Sequence, residues 1–219
     1  MRLFDYELSG NCYKVRLLLH MLGRTHERHA IDFHPGREHK AAWFLERHNP
    51  LGQLPVLEDD GVSIRDAQAI LVYLASRYDA GGRWYPDDAL VRAQIQAWLA
   101  AADELTRTAG AARLHEVLPH GVLNYPCDLA ACRTGARAVL RLLDDHLAER
   151  HSLGLRWLAS SAAPTIADIA CFPYAALAPE GGIRLDEFPA LRAWIADVRA
   201  LPGFIGMGGI MAPVVSAAA

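Results

Sequence analysis

"LPVLEDDGVSIRDAQAILVYL", residues 54–74, is the stretch of sequence that decides the fold of the first half of the chain. It holds two short β-rich runs that are separated by Asp60-Gly61, which is a strong signal for a tight hairpin turn. Apolar residues then recur at helical spacing, at Ala67, Ile70, Leu71 and Leu74. The stretch therefore predicts an antiparallel hairpin that leads directly into a helix.

The sequence before this hairpin alternates between strand and helix patterns. Residues 1–6, MRLFDY, and residues 26–33, HERHAIDF, are typical of strands. Between them, Val15, Leu18, Leu19 and Leu22 form the stripe of an amphipathic helix that Gly23 ends. Residues 37–47 predict a second helix. The order is βαβαββα, which predicts an α/β domain whose mixed sheet has helices on its faces and an antiparallel last hairpin.

Strand patterns stop after Tyr78. Residues 79–88, DAGGRWYPDD, are rich in Gly, Pro and Asp, as a linker is. Three helical stripes follow, which begin at Val91, Cys132 and Leu191. We therefore predict two domains, an α/β domain at residues 1–79 and an all-α helical bundle at residues 88–219.

Composition points to an ordinary globular protein. Of the 219 residues, 52% are hydrophobic and 21% are charged, and the formal net charge at neutral pH is −3. Such a charge gives no strong attraction to nucleic acid or to a membrane surface. Apolar runs end well before the roughly 20 residues that span a membrane, and the first residues do not resemble a signal peptide. We expect a cytoplasmic protein.

The four cysteines lie at irregular spacing, which does not suggest a disulfide framework in a chain of this length. They are Cys12, Cys127, Cys132 and Cys171. We expect reduced thiols. Several histidines cluster early in the chain, but no Cys or carboxylate lies at a spacing that completes a metal site, so no metal is expected.

Three polar residues lie where the first strand gives way to the first helix. Cys12 stands in the first turn of that helix, where the helix dipole favours a thiolate. Val15 excludes a Cys-x-x-Cys pair. Ser9 and Asn11 are short side chains that can donate a hydrogen bond to an anion bound there, including a thiolate. The alternative is that Ser9 or Asn11 caps the helix and Cys12 packs beneath it.

Pro55 and Asp66 mark two further candidate positions. A proline that begins a strand cannot donate to the ladder, so the backbone of Leu54 can pair with an extended peptide instead. Asp66 is a natural N-cap, and the same helix N-terminus can bind a carboxylate ligand while Asp66 accepts from a ligand ammonium. A plain proline and a plain cap are the commoner alternatives. Thr165 and Asp168 predict a capping box with a structural role.

Four segments together resemble the cytosolic glutathione S-transferase superfamily, in the bacterial type with a Ser/Cys motif near the N-terminus. They are SGNCYKVRLLL (9–19), NPLGQLPVLEDDG (49–61), RDAQAILVYLASRY (65–78) and PTIADIACFPY (164–174). The resemblance implies a thioredoxin-like N-terminal domain, an all-helical C-terminal domain, a homodimer and a cis peptide before Pro55. It also implies a glutathione site on the N-terminal domain.

The resemblance implies a role in glutathione binding for seven residues. They are His39, Lys40, Gln53, Leu54, Pro55, Asp66 and Ala67. The Leu54 backbone matches the family residue that pairs with the cysteinyl part, with Gln53 as its polar neighbour. Asp66 and Ala67 match an acidic-then-Ser pair that holds the γ-glutamyl group. Ala67 lacks the serine hydroxyl, although its backbone N–H can still serve. His39 and Lys40 fall near the residues that meet the glycine carboxylate.

The implied activity is glutathione transfer to a small hydrophobic electrophile, a detoxification reaction. Ser9 and Asn11 are the predicted donors to the glutathione thiolate, and Cys12 is the third catalytic candidate. The electrophile is expected between the domains, near Trp98 or Tyr125. Two alternatives remain open: a glutathione-dependent disulfide or peroxide reductase, and a non-catalytic ligand-binding protein of the same fold.

Overall fold

The structure is a computed structural model that describes residues 1–118, 128–160 and 163–210. Its first half holds one four-stranded sheet, in the spatial order β2-β1-β3-β4. The strands are β1 (Arg2–Asp5), β2 (Glu27–Ala30), β3 (Val56–Asp59) and β4 (Val62–Arg65). β1 and β2 are parallel, and the other two pairings are antiparallel.

The β3–β4 hairpin closes through Asp60 and Gly61, as predicted. Their φ angles are 47° and 77°, and a two-residue hairpin loop requires positive φ at both positions. Asp59 pairs with Val62 directly beside the turn. The hairpin is therefore set by local backbone chemistry.

Three helices complete the first half and confirm the predicted βαβαββα order and the thioredoxin-like fold. They are α1 (Gly10–Met21), α2 (Ala42–Arg47) and α3 (Ala67–Tyr78). The predicted helix at residues 37–47 is interrupted. Glu38–Lys40 form a separate 3₁₀ turn, and Ala41 is extended. Beside this interruption, Lys40 Nζ donates to the carbonyl of Leu51 at 2.9 Å, a contact that local sequence does not show.

The described part of the second half is helical, also as predicted. Its helices are α4 (Ala89–Leu105), α5 (Ala111–Val117), α6 (Leu129–Ser152), α7 (Ile166–Ala176) and α8 (Pro189–Arg199). Between α4 and α5 the chain continues as one π-helical turn, Thr106–Gly110. None of the helices in the described ranges is long and apolar enough to cross a membrane.

α7 is the central helix of the molecule, and most of its residues are buried. It packs against α1 of the first half and α4 of the second. Thr165 and Asp168 form a capping box at its N-terminus: Thr165 N donates to Asp168 Oδ2 at 2.8 Å. Asp168 also accepts from Leu158 N at 3.1 Å and from Trp194 Nε1 at 2.9 Å. The cap therefore joins α7 to two other segments.

The prediction of reduced cysteines is wrong for Cys132, which is disulfide-bonded. Cys12 and Cys171 are buried free thiols, and Cys127 lies outside the described residues. Irregular spacing misled the prediction because spacing along the chain does not show which sulfur atoms meet in space.

Candidate functional site

A cavity of about 610 Å³ lies where the loops of the first half face α4, α5 and the π-helical turn. Nine of the ten predicted catalytic and glutathione-binding residues line it: Ser9, Asn11, His39, Lys40, Gln53, Leu54, Pro55, Asp66 and Ala67. The second half contributes Asp103, Thr106, Arg107, Gly110, Arg113, Leu114, Val117, Leu118 and Tyr174. One wall is thus formed by loops that carry both polar and apolar side chains, and the other wall is formed mainly by charged and apolar residues of helices.

Cys12 is the predicted residue that does not line this cavity. Its side chain is fully buried, and its sulfur accepts from Tyr6 N at 3.4 Å. Burial raises the pKa of the Cys12 thiol to about 12, and the Asp5 carboxylate adds to this, while hydrogen bonds from Ser9 and Tyr6 oppose it. Cys12 is therefore a protonated thiol at neutral pH, packed beneath the loop.

Ser9 and Asn11 lie at the N-terminus of α1, at the edge of the cavity. Ser9 is the N-cap, and its Oγ accepts from Cys12 N at 3.2 Å. Thr106 Oγ1 lies 3.3 Å from Asn11 Oδ1, across the two halves of the chain, and 3.0 Å from Ala102 O, so its single proton has two acceptors in reach. The Asn11 Nδ2 group makes no hydrogen bond within the described residues, so its N–H₂ is left to donate. Thr106 is a site residue that the sequence analysis missed.

The loop before β3 is held in shape by Asn49, another residue that the sequence analysis missed. Asn49 is buried, its Nδ2 donates to Gln53 O at 3.0 Å, and its Oδ1 accepts from Leu51 N at 3.1 Å. The Leu54–Pro55 peptide bond is cis, as the resemblance implied. Among the described residues, the Leu54 backbone makes no hydrogen bond. Its N–H and C=O are therefore available to a peptide-like ligand.

Asp66 and Ala67 open α3 beside this loop. Asp66 Oδ1 accepts from Ala69 N at 3.0 Å, so Asp66 is the N-cap. Its φ of 78° and ψ of 128° are rare for a residue with a side chain. Such backbone strain is typical of ligand sites. The first-turn N–H groups of α3 have no intrahelical acceptors, which suits an anionic group.

His39 ends a stack of three rings that also line the cavity. Tyr6 stacks on Phe33 with ring centroids 5.0 Å apart, and Phe33 stacks on His39 at 4.1 Å. His39 is only 3% exposed, and burial together with the charges of Lys40 and Arg37 lowers its pKa to about 4. The imidazole is therefore neutral, and positive charge at this end of the cavity comes from Arg37 and Lys40.

Arg113 ties α5 to the loop that precedes α1. Its side chain is buried, Nη1 donates to Leu8 O at 2.6 Å, and Nε contacts Glu180 Oε2 at 2.5 Å. An amphipathic pattern does not mark such a residue, because an arginine on a short helix is expected to be exposed, whereas this one is buried. Arg113 holds the two walls of the cavity in a fixed relation.

Tyr174 of α7 forms the floor between the two walls. A Cβ added at Gly10 would lie 2.8 Å from its ring, and one added at Gly110 would lie 3.0 Å from it. The ring therefore packs directly on backbone from both halves. Trp98 is not among the residues that line this cavity, and Tyr125 lies outside the described residues. The described ranges hold no cluster of three or more metal-ligating side chains.

Known proteins match both the sequence and this architecture. Residues 3–83 match the family model for the glutathione S-transferase N-terminal domain. Glutathione S-transferase theta-2 from Homo sapiens is 31% identical over 181 residues, which cover 81% of this chain and 71% of the relative. The chain therefore belongs to the glutathione S-transferase family, as the four segments indicated.

Solved structures agree with this assignment. The crystal structure of a possible glutathione S-transferase from Rhodopseudomonas palustris is 30% identical, with a TM-score of 0.82 and coverage of 99% of this chain and 92% of that chain. The yeast protein Ure2p, solved in complex with glutathione, is 28% identical, with a TM-score of 0.80 and coverage of 92% and 95%. Both alignments span the two halves of the chain.

Proposed function

We propose that this protein is a glutathione transferase, which binds glutathione in the cavity and directs its thiolate at a small hydrophobic electrophile. The observation that carries the proposal is the composition of that single cavity. Ser9 and Asn11, the unpaired Leu54 backbone and the N-terminus of α3 all line it from one side. Family membership and the glutathione bound to Ure2p support the choice of ligand.

The thiolate is the group that the site has to stabilise. A free cysteine thiol has a pKa of roughly 8.5, so at neutral pH most glutathione is protonated. One hydrogen bond to a charged acceptor contributes about 1.5–3 kcal/mol, which is roughly one to two pKa units. We assign this hydrogen bond to the Asn11 amide, with the Ser9 hydroxyl as the second donor. Cys12 is assigned a packing role.

The rest of glutathione is placed by chemical complementarity. The Leu54 backbone pairs with the cysteinyl residue, beside Gln53 and after the cis bond to Pro55. Asp66 accepts from the γ-glutamyl ammonium, and the backbone N–H of Ala67 donates to its carboxylate. The glycine carboxylate faces Lys40 and the ring of His39.

The electrophile binds on the helical wall in this proposal. Leu114, Val117 and Leu118 supply apolar surface there, close to the aromatic ring of Tyr174. This wall suits a small hydrophobic molecule, in keeping with a detoxification role. We further propose a cytoplasmic homodimer, the usual assembly that the resemblance implies.

Two assays test the proposal against its alternatives. Calorimetric titration with glutathione measures binding, and turnover of a chlorodinitrobenzene measures conjugation. A reductase would instead turn over a small disulfide with glutathione and show little conjugation. A non-catalytic binding protein would turn over neither substrate. The buried, protonated Cys12 favours conjugation over a reductase that uses its own thiol.

Ala67→Ser restores the hydroxyl that the family pair carries, and we expect it to tighten glutathione binding. One added hydrogen bond of about 1 kcal/mol corresponds to roughly fivefold in affinity. Ala69→Ser is the matched control, because Ala69 is exposed on the same turn and does not line the cavity. Equal effects of the two substitutions in calorimetry would contradict the assignment of Ala67 to the γ-glutamyl subsite.

Asn49→Ala removes both hydrogen bonds that shape the loop before Pro55. We expect the KM for glutathione to rise about tenfold, since the Leu54 backbone is no longer held in place. The kcat at saturating glutathione should stay within about twofold, because Asn49 touches no reacting atom. Steady-state kinetics over a range of glutathione concentrations separates the two constants. An unchanged KM would show that the loop keeps its shape without Asn49.

A further inference from the structure

Lys14 on α1 is buried to a degree that is unusual for a lysine. None of its surface is exposed, and its Nζ has no hydrogen-bond partner among the described residues. Burial of an ammonium without a partner lowers the stability of a fold, and lysines are almost never fully buried unless they are paired. Groups of this kind concentrate at functional sites. Lys14 does not line the cavity.

The position of Lys14 on its helix places its side chain next to Asn11 and Tyr174, on the side of these residues that faces away from the cavity. Residues three and four apart lie on one helix face, so Lys14 shares a face of α1 with Asn11 and Gly10. Gly10 packs against the ring of Tyr174, and Lys14 Nζ lies 5.3 Å from the centroid of that same ring. Asn11 and Tyr174 both line the cavity. The ammonium is therefore separated from the cavity by about the thickness of one side chain.

The groups around Lys14 leave its charge largely uncompensated. Cys171 and Tyr174 face it from α7, Asp103 from α4 and Asp66 from the cap of α3. Burial raises the pKa of the Cys171 thiol to about 12, so this group is neutral at neutral pH.

The two carboxylates are bound elsewhere. Asp103 accepts from Gln68 Nε2 at 2.6 Å and contacts Arg107 at 3.2 Å, and Asp66 caps α3. Burial lowers the pKa of Lys14 to about 8, while the Asp103 and Asp66 carboxylates oppose this shift. The amine is thus still mostly charged at neutral pH.

We propose that Lys14 is a positioning residue of the transferase, whose buried ammonium stabilises the glutathione thiolate through the wall formed by Asn11 and Tyr174. The inference rests on the proposed function. Lys14 does not touch glutathione: it supplies a fixed positive field in a region of low dielectric. For two charges roughly 10 Å apart at an effective dielectric constant of about 20, the interaction lowers a thiol pKa by about one unit.

Lys14→Met tests the inference, because it removes the charge and keeps a long apolar side chain. Ultraviolet absorbance of the thiolate, followed as a function of pH, gives the pKa of bound glutathione. We expect this pKa to rise by about one unit in Lys14→Met. At a pH below both values, kcat/KM should fall about tenfold, and the two proteins should converge at alkaline pH. Lys14→Arg, which keeps the charge, should retain a pKa close to that of the wild type.

Stability separates this role from a purely structural one. Loss of an unpaired buried charge should raise the midpoint of thermal unfolding in Lys14→Met. A lysine that only fills the core would give a less stable protein with an unchanged thiolate pKa. If Lys14→Met does not fold, Lys14→Gln removes the same charge and tests the same shift.

Two outcomes overturn the inference in distinguishable ways. A thiolate pKa that is lowered in the wild type and equally lowered in Lys14→Met overturns the role of Lys14 and leaves the proposed function standing. Wild-type protein that binds no glutathione in calorimetry, or binds it without lowering the thiol pKa, overturns the proposed function and this inference together.

Discussion

Asn11→Ala should lower kcat/KM for conjugation at neutral pH by about ten- to a hundredfold, because the substitution removes one hydrogen bond to the charged sulfur of glutathione. Cys12→Ala should leave kcat/KM within about twofold, because Cys12 is buried beneath the loop and does not line the cavity. Steady-state kinetics with a chlorodinitrobenzene measures both.

Ser9→Ala should also lower turnover. It should reduce the free energy of unfolding by about 1 kcal/mol as well, because Ser9 caps α1.

The comparison between Asn11 and Cys12 is decisive for the chemistry. Circular dichroism and thermal unfolding establish that each variant is folded before the rates are compared. Loss of all activity in Cys12→Ala, with normal rates in Asn11→Ala and Ser9→Ala, would replace the proposed hydrogen-bonded thiolate by a mechanism that uses the protein's own thiol.

Asp168→Ala should reduce the free energy of unfolding by about 3–5 kcal/mol, the largest stability effect that we expect at a single site. The substitution leaves Thr165 N, Leu158 N and Trp194 Nε1 as buried donors without an acceptor. Each such donor costs about 1–3 kcal/mol. Urea unfolding followed by circular dichroism measures the change.

Two aspartates on α6 are matched controls for this effect. Asp145 is exposed, so Asp145→Ala should change stability by no more than about 0.5 kcal/mol. Asp144 is buried and accepts from Leu191 N at 2.9 Å, so Asp144→Ala should fall between the other two. A loss in Asp168→Ala no larger than that in Asp145→Ala would show that the α7 cap does not support the core.

The parts of the fold that the sequence predicted are those that local chemistry determines. Asp60 and Gly61 adopt the backbone angles of a two-residue turn whatever surrounds them, so the hairpin was predictable. The break between Lys40 and Ala42 was not, and it is accompanied by a hydrogen bond from Lys40 to the carbonyl of Leu51, in a different loop. The disulfide bond of Cys132 was also not predictable, because local sequence does not show which cysteines meet in space.

The residues of the candidate site also fall into two groups, those that short motifs predicted and those that only distant contacts identify. Residues of the first half were found from the resemblance, since they occur in short motifs with fixed order. Thr106 and Arg113 were missed because their contacts join residues that are 95 and 105 positions apart, to Asn11 and Leu8. Cys12 lies beneath the loop and not in the cavity for a geometric reason. A helix N-terminus has an inner and an outer side, and sequence position alone does not say which side a thiol occupies.

The packing of Tyr174 between Gly10 and Gly110 also restricts how this architecture can be recombined. A methyl group at Gly10 would lie 2.8 Å from the ring and one at Gly110 would lie 3.0 Å from it, so either substitution would push the ring aside. The three positions, which come from three distant segments, therefore constrain one another. The exposed end of α5 is not restricted by this packing. Single substitutions there can therefore change the substrate preference one at a time. A chimera that joins this first half to the second half of a relative should therefore keep the ring and both glycines together to preserve the floor of the cavity.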